Sequence, residues 1–321
     1  MIRDTVAIIG SGLMGAGIAA CSAIAGNKTK LFDQTDELAL KGAEKARQNI
    51  RQLLENGLID NENAKKADDL LYVCSDFKNG LEDALWVIEA VTEKLPLKQE
   101  LFKLIDSLVP PDVIITSNTS GLRITEIAQY AKHPERTATT HFWFPAYLVP
   151  LVEVVMSDKT DEKVALKVKE MLIKWGKAPV IVRKDLPGQL ANRILQAVIR
   201  ESINIVQMGL ASPEDVDTAV KMGMGIRFPV WGPLEHIDAV GLDLALSVQN
   251  TVLPGIGNNT EPADYLKDLV DQGNLGYKNG KGFYDWNVKD MDELAKKRDD
   301  FIMNALHFLK TQVYLTKYIN G

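Results

Sequence analysis

Three glycines, Gly10, Gly12 and Gly15, stand in the spacing Gly-x-Gly-x-x-Gly directly behind the apolar run Val6-Ala7-Ile8-Ile9. Leu13 and Met14 fill the variable positions and open a helical-looking stretch, so the glycines sit where a strand turns sharply into a helix. Missing side chains are needed there for a tight turn, for close approach of a pyrophosphate and for packing of the helix on the strand. The N–H groups of the first helical turn then face the phosphates. About 20 residues further on, Leu31-Phe32-Asp33 ends the next apolar run, where an acid accepts hydrogen bonds from the adenosine ribose and disfavours a 2'-phosphate. The pattern predicts a dinucleotide site with Asp33 selecting NAD over NADP.

The chain has four histidines, and each has a distinct setting. His133 precedes Pro134 in a polar loop and is expected to be exposed. His307 lies among Leu and Phe residues of a C-terminal helix and His236 follows Pro233 in a helical region, both settings for packing histidines. His141 ends a strand-like run and is followed by Phe142, Trp143, Phe144 and Pro145, which puts it at the carboxyl edge of the sheet, where open α/β folds bind ligands. A later short run carries Glu153 between Val152 and Val154. A carboxylate inside a sheet needs a partner, and a His141–Glu153 pair supplies one. Imidazole is suited to taking a hydroxyl proton near neutral pH, and an acid on its other nitrogen fixes the tautomer.

The elements that must position these groups follow from periodicity. Strands are predicted over residues 5–9, 29–32, 86–89, 113–116, 137–141 and 151–155, and helices over 15–25, 36–57 and 97–108. Such alternation predicts βαβ units in a parallel sheet. The charged face of the 36–57 helix reads either as a solvated surface or as a contact for a polyanionic substrate arm. Pro187-Gly188 marks a boundary, after which the strand signal stops. Two domains are expected: residues 1–185, a Rossmann-like α/β domain, and residues 186–321, an all-helical substrate and dimerisation domain with a C-terminal extension from about 290. Ser212-Pro213-Glu214-Asp215 is a helix start, with Ser as N-cap and Pro at the first helical position.

Composition narrows the functional classes. With 46% hydrophobic and 25% charged residues, the chain of 321 residues reads as globular, which removes disordered and fibrous readings. A net charge of -6 argues against a nucleic-acid binder. Two cysteines, Cys21 and Cys74, offer no disulfide framework and no metal-ligand spacing; both are expected to be small buried hydrophobes, and no metal site is expected. No stretch has the length of a membrane span, and the N-terminus carries no recognisable leader, so a cytoplasmic protein without a membrane partner is expected.

Taken in order, the motifs resemble those of the L-3-hydroxyacyl-CoA dehydrogenase family, including 3-hydroxybutyryl-CoA dehydrogenases and lambda-crystallin-like relatives, up to about Trp286. The resemblance rests on the glycine turn, Asp33, the segment from Val87 to Glu93 with Lys98, the Ser117-Asn118-Thr119-Ser120 run, His141 with Pro145, Glu153, Asn192-Arg193, Gly232-Pro233 and the Gly280 to Tyr284 stretch. It implies a homodimer acting on a small-molecule substrate, with NAD as cofactor and 3-hydroxyacyl-CoA oxidation, a step of fatty acid metabolism, as the activity. His141 would be the general base, Glu153 its orienting acid, and Ser120 and Asn192 the substrate-side hydrogen bonders. Cofactor contacts would fall on Gly10, Gly12, Leu13, Met14, Gly15, Asp33, Glu93, Lys98 and Ser120.

The match has departures. Phe144 stands where acyl-CoA members usually carry Asn, and of the family's polar CoA contacts on the helix after the second strand only Asn49 has a near counterpart. Relatives acting on free hydroxy acids, such as gulonate and carnitine dehydrogenases, provide the alternative substrate class. Arg227, in the Gly225 to Pro233 stretch, reads either as a partner for a substrate carboxylate or phosphate or as a surface loop residue. A non-enzymatic NAD-binding role is a further alternative, opposed by the intact set of His141, Glu153, Ser120 and Asn192.

Overall fold

The computed structural model describes residues 5–311. Eight strands form one sheet: β1 Thr5–Ile9, β2 Lys28–Phe32, β3 Leu71–Val73, β4 Ala84–Glu89, β5 Ile114–Ser117, β6 Thr137–Phe142, β7 Leu151–Val155 and β8 Ala178–Val182. Their order is β3-β2-β1-β4-β5-β6-β7-β8. The chain reverses direction of travel across the sheet between β1 and β4, so the carboxyl ends of those strands frame the crevice where such sheets take ligands.

Every residue of β1 is buried, because helices cover both faces of the sheet. Val6, Ile8, Leu31, Trp86 and Ile114 join the core on one face. The alternate residues Ala7, Ile9, Phe32, Val87 and Ile115 join the core on the other. The helices of this part are α1 Leu13–Ile24, α2 Asp36–Glu55, α3 Asn61–Asp68, α4 Phe77–Gly80, α5 Leu95–Leu108, α6 Ile124–Ile127 and α7 Glu162–Lys174. Thr35 caps α2 by accepting from the Leu38 N–H. The charged face of α2 is an ion-paired, solvated surface: Lys41 meets Glu37 at 2.7 Å and Arg47 meets Asp68 at 2.7 Å.

Several expectations need correction. The sheet is not wholly parallel, since β6 and β7 pair antiparallel. That pairing is possible because only a short loop joins them, whereas parallel neighbours need a long crossover. Strand β8 was not predicted, being an edge strand whose residues are only half-buried, and β3, beside the strand-like run of Cys74, is only three residues long. Cys21 is buried as expected, but Cys74 is only partly so.

The described residues divide into two compact units: one holds residues 5–190 together with 297–311, and the other residues 191–296. The C-terminal part of the last helix thus returns to the first unit instead of extending the helical one. Among the described residues the second unit is helical: most of α8 Leu190–Gln207, then α9 Pro213–Ala219, α10 Pro233–Val240, α11 Leu242–Val252, α12 Asp264–Asp271 and the start of α13 Met291–Thr311. Ser212 does cap α9, its hydroxyl accepting from the Asp215 N–H at 3.1 Å. His236 packs edge-on against Trp231 at 5.0 Å, yet its Nδ1 has no hydrogen-bond partner among the described residues. No helix among the described residues is long and apolar enough to cross a membrane, and none of their His, Cys, Asp and Glu side chains cluster as a metal site.

Candidate active site

The turn between β1 and α1 has the backbone that its glycines require. Gly10 lies at φ +94, and a Cβ there would stand 2.6 Å from the Ala90 carbonyl oxygen. At Gly15 a Cβ would meet the Gly10 carbonyl oxygen at 1.8 Å, so any side chain would drive α1 off the turn. Gly12 faces open space, with nothing within 4 Å of a built Cβ, and no side chain caps the helix that follows. Leu13 is exposed and Met14 half-buried in the first turn of α1. An uncapped helix N-terminus beside an open glycine is a cradle for phosphate, and these residues fit a dinucleotide.

Asp33 follows β2 beside this turn. Its Oδ2 accepts from the Ser11 N–H at 2.7 Å and from the Ser11 hydroxyl at 2.6 Å, while Oδ1 accepts from the Gln34 N–H at 2.8 Å. Burial pushes the Asp33 carboxyl up, but the hydrogen bonds from Ser11 and Gln34 outweigh it and hold it below the usual carboxylate range. Ser11 was not singled out in the sequence; its place between the first two glycines was the only signal.

A second cluster lies where β4 and β5 end. Glu89 is fully buried, and Lys98 on α5 reaches it at 2.6 Å with only 1% of the lysine side chain exposed. The Ser117 hydroxyl donates to the other Glu89 oxygen at 2.5 Å. Lys98 also stands 3.3 Å from Glu93. Glu93 Oε1 accepts from the Ser120 and Gly121 N–H groups, each at 3.1 Å, and from the Thr119 hydroxyl. Desolvation raises the Glu93 pKa, but Thr119, Gly121 and Lys98 overcome it and set it lower than an ordinary glutamate. Glu93 therefore holds the turn bearing Ser120 while Lys98 braces Glu93 and Glu89, an arrangement not readable from their types alone. Glu89 and Ser117 are further members that sequence reasoning did not assign.

The third cluster rests on the antiparallel pair. Register places His141 directly opposite Glu153, and Nδ1 lies 2.8 Å from Oε2, with 8% and 0% of the two side chains exposed. Trp143 donates its indole N–H to the same Oε2 at 3.1 Å, a contact that sequence reasoning missed. Asn118 accepts the Phe142 N–H at 2.9 Å, tying the Ser120 turn to the end of β6. A histidine held this way at Nδ1 can take or give a proton at Nε2. Phe144 is 52% exposed, three residues beyond the histidine. Asn192, on α8, and Arg227 belong to the second unit. Arg227 is exposed and donates from Nε to the Gly223 carbonyl at 3.2 Å.

The fold and its dinucleotide turn belong to the NAD-dependent oxidoreductases that act on CH–OH groups, and comparison with known proteins makes this specific. Residues 5–186 match the model of the 3-hydroxyacyl-CoA dehydrogenase NAD binding domain, and residues 188–286 match that of the 3-hydroxyacyl-CoA dehydrogenase C-terminal domain. The chain belongs to the 3-hydroxyacyl-CoA dehydrogenase family. It is 36% identical over 285 residues to a probable 3-hydroxybutyryl-CoA dehydrogenase of Bacillus subtilis, covering 88% of this chain and 98% of that one. It is 30% identical over 300 residues to 5-formyl-3-hydroxy-2-methylpyridine 4-carboxylate 5-dehydrogenase of Mesorhizobium japonicum, covering 93% and 95%. A crystal structure of an enzyme with that activity superposes with a TM-score of 0.87 at 28% identity, covering 96% of this chain and 99% of that chain.

Proposed function

We propose that the chain oxidises the secondary alcohol of a 3-hydroxyacyl substrate to the ketone, with His141 as general base and Glu153 as its orienting acid. The observation that carries this reading is the 2.8 Å contact between His141 Nδ1 and Glu153. With Nδ1 turned to the carboxylate, Nε2 is the nitrogen left for the hydroxyl proton, and Glu153 stabilises the imidazolium that forms. NAD, when bound, supplies the acceptor for the hydride that leaves the same carbon. Ser120 and Asn192 are assigned the substrate oxygen, and Asp33 the adenosine ribose. Gly10, Gly12, Leu13, Met14 and Gly15 line the pyrophosphate, while Glu93 and Lys98 support the Ser120 turn on the cofactor side.

The leading substrate class is a 3-hydroxyacyl-CoA such as 3-hydroxybutyryl-CoA, in keeping with the name of the Bacillus relative. A second reading, a CoA-free hydroxy acid, is favoured by Phe144 and by Asn49, which at 3% exposure is buried and withdrawn from any ligand. The pyridine carboxylate named for the Mesorhizobium relative points the same way. A homodimer through the helical unit is part of the proposal. Leu195, Ile199, Leu242, Leu246 and Val270 are exposed there, and the unit holds an apolar cavity of about 760 Å³. Exposed apolar surface of this kind supports that reading.

The test is His141→Gln, assayed by NADH absorbance with 3-hydroxybutyryl-CoA and with free 3-hydroxybutyrate. A turnover loss of about 10² to 10⁴ is expected, the usual contribution of a general base, with NAD affinity near wild type. A wild-type rate would place the base elsewhere.

A further inference from the structure

The family match ends at residue 286, but the chain continues into α13, whose later part belongs to the first unit. Met303, with Ile302 and Leu306, packs against Leu53, Leu58 and Leu148. His307 Nε2 lies 2.7 Å from the Asn56 carbonyl oxygen. The helix is thereby fastened both to the end of α2 and to the loop that follows β6. Its earlier residues are carried along that loop.

This brings a cation beside the strand of His141. The Arg298 guanidinium stands 5.2 Å from the centre of the Phe144 ring. Asp299 Oδ1 accepts from Nε at 2.8 Å and pairs with Nη2 at 2.7 Å. One edge of the planar fork is held by that carboxylate, and Nη1 has no protein acceptor among the described residues. Arg298 keeps 43% of its side chain exposed, whereas Asp299 keeps 17%. The cation thus remains reachable while its counter-ion is largely covered. Tyr147, in the same loop, feels both groups: burial and Asp299 push its hydroxyl pKa up, and Arg298 opposes them.

We propose that Arg298 and Phe144 form a subsite for a carboxylate carried by the substrate. The Nη1 edge of Arg298 binds the carboxylate, and the Phe144 ring covers the carbon skeleton between it and the alcohol. The inference rests on the dehydrogenase reading above and deepens it by naming the substrate as a hydroxy acid with a free carboxylate. A single guanidinium already bearing one carboxylate suits a second, singly charged one better than a dianionic phosphate, which Asp299 would repel. Two sources share this chemistry: the far carboxylate of a hydroxydicarboxylic acyl-CoA and the sole carboxylate of a CoA-free acid.

The experiment follows NADH formation from 3-hydroxyadipyl-CoA, 3-hydroxyhexanoyl-CoA and free 3-hydroxybutyrate in the wild type, Arg298→Met and Arg298→Lys. The two thioesters differ in one terminal group, carboxylate against methyl. In Arg298→Met, kcat/KM for the carboxylate-bearing substrate relative to 3-hydroxyhexanoyl-CoA should fall by about tenfold to a hundredfold, the size of a lost charge-assisted hydrogen bond. Arg298→Lys should recover part of it, since the charge stays and the fork is lost. Whether 3-hydroxyadipyl-CoA or 3-hydroxybutyrate shows the fall identifies the source. An unchanged ratio, as when all substrates lose rate together, would overturn the subsite and leave Arg298 as a tie between helix and loop. Calorimetry of adipate binding to the enzyme with NAD separates this from the underlying reading. Adipate affinity lost in Arg298→Met while no alcohol is oxidised would sink the dehydrogenase reading and keep the subsite; affinity indifferent to Arg298→Met would sink the subsite alone.

Discussion

Replacing Glu153 by Gln removes a charge while keeping the size and shape of the side chain. In the wild type the carboxylate sits 2.8 Å from His141 Nδ1 and is completely buried. When the ring takes a proton from the alcohol, the two charges are separated by roughly 4 Å, and at an effective dielectric of about 20 their attraction is ~4 kcal/mol. The amide can still accept a neutral hydrogen bond worth about 1 kcal/mol. The difference of ~3 kcal/mol corresponds to a loss of about two decades in kcat/KM. Trp143→Phe removes only the indole donor to the same oxygen, which at about 1 kcal/mol predicts a loss of roughly fivefold. Both variants are assayed by NADH absorbance at saturating NAD, alongside thermal unfolding. Because a buried carboxylate costs desolvation free energy, Glu153→Gln should unfold near or above the wild-type temperature while losing rate. A wild-type rate in Glu153→Gln, or a rate loss matched by loss of folded protein, would refute the assignment of this pair to proton transfer.

Asp33→Ala should narrow a preference for NAD over NADP that exceeds tenfold in the wild type by a wide margin, because the carboxylate that repels a 2'-phosphate is gone; kcat/KM with each cofactor measures it, and equal use of both by the wild type would overturn the assignment. The last expectation concerns pH. Burial pushes the Asp83 carboxyl up, but Lys30 and Lys28 outweigh it and bring it down to about 2 from 3.8. A depressed folded-state value means stabilisation that is complete above 3.8 and disappears as pH falls through about 2. The stability gap between wild type and Asp83→Asn in urea titrations should therefore be steady at neutral pH and close across that acid window.

Much of the site could be read along the chain because its parts are local. The glycine turn, the helix it opens and the acid ending β2 lie within one βαβ stretch, where backbone sterics and strand periodicity dictate geometry whatever surrounds them. The Ser212 cap is local in the same sense, its hydroxyl reaching a backbone N–H three residues on. His141 and Glu153 were legible as candidates, since a histidine at a strand end and an acid among valines are both out of place without a purpose.

Tertiary structure decided the rest. The antiparallel register that sets His141 opposite Glu153 depends on β7 reversing beside β6, and periodicity carries no strand direction. Trp143 reads as one more apolar residue until the fold turns its indole N–H to Glu153. Lys98 was named as a cofactor contact on the strength of its motif, and only the fold shows that its ammonium is buried against Glu89. The return of α13 to the first unit has no local signature, because an amphipathic helix specifies that it must bury a face but not against what. That choice was made by Leu53, Leu58 and Leu148, well over a hundred positions earlier, which supply the matching apolar surface and so bring Arg298 to Phe144. Residue types and short spacings determined the cofactor turn and nominated the catalytic groups, whereas long-range packing determined which side chains meet.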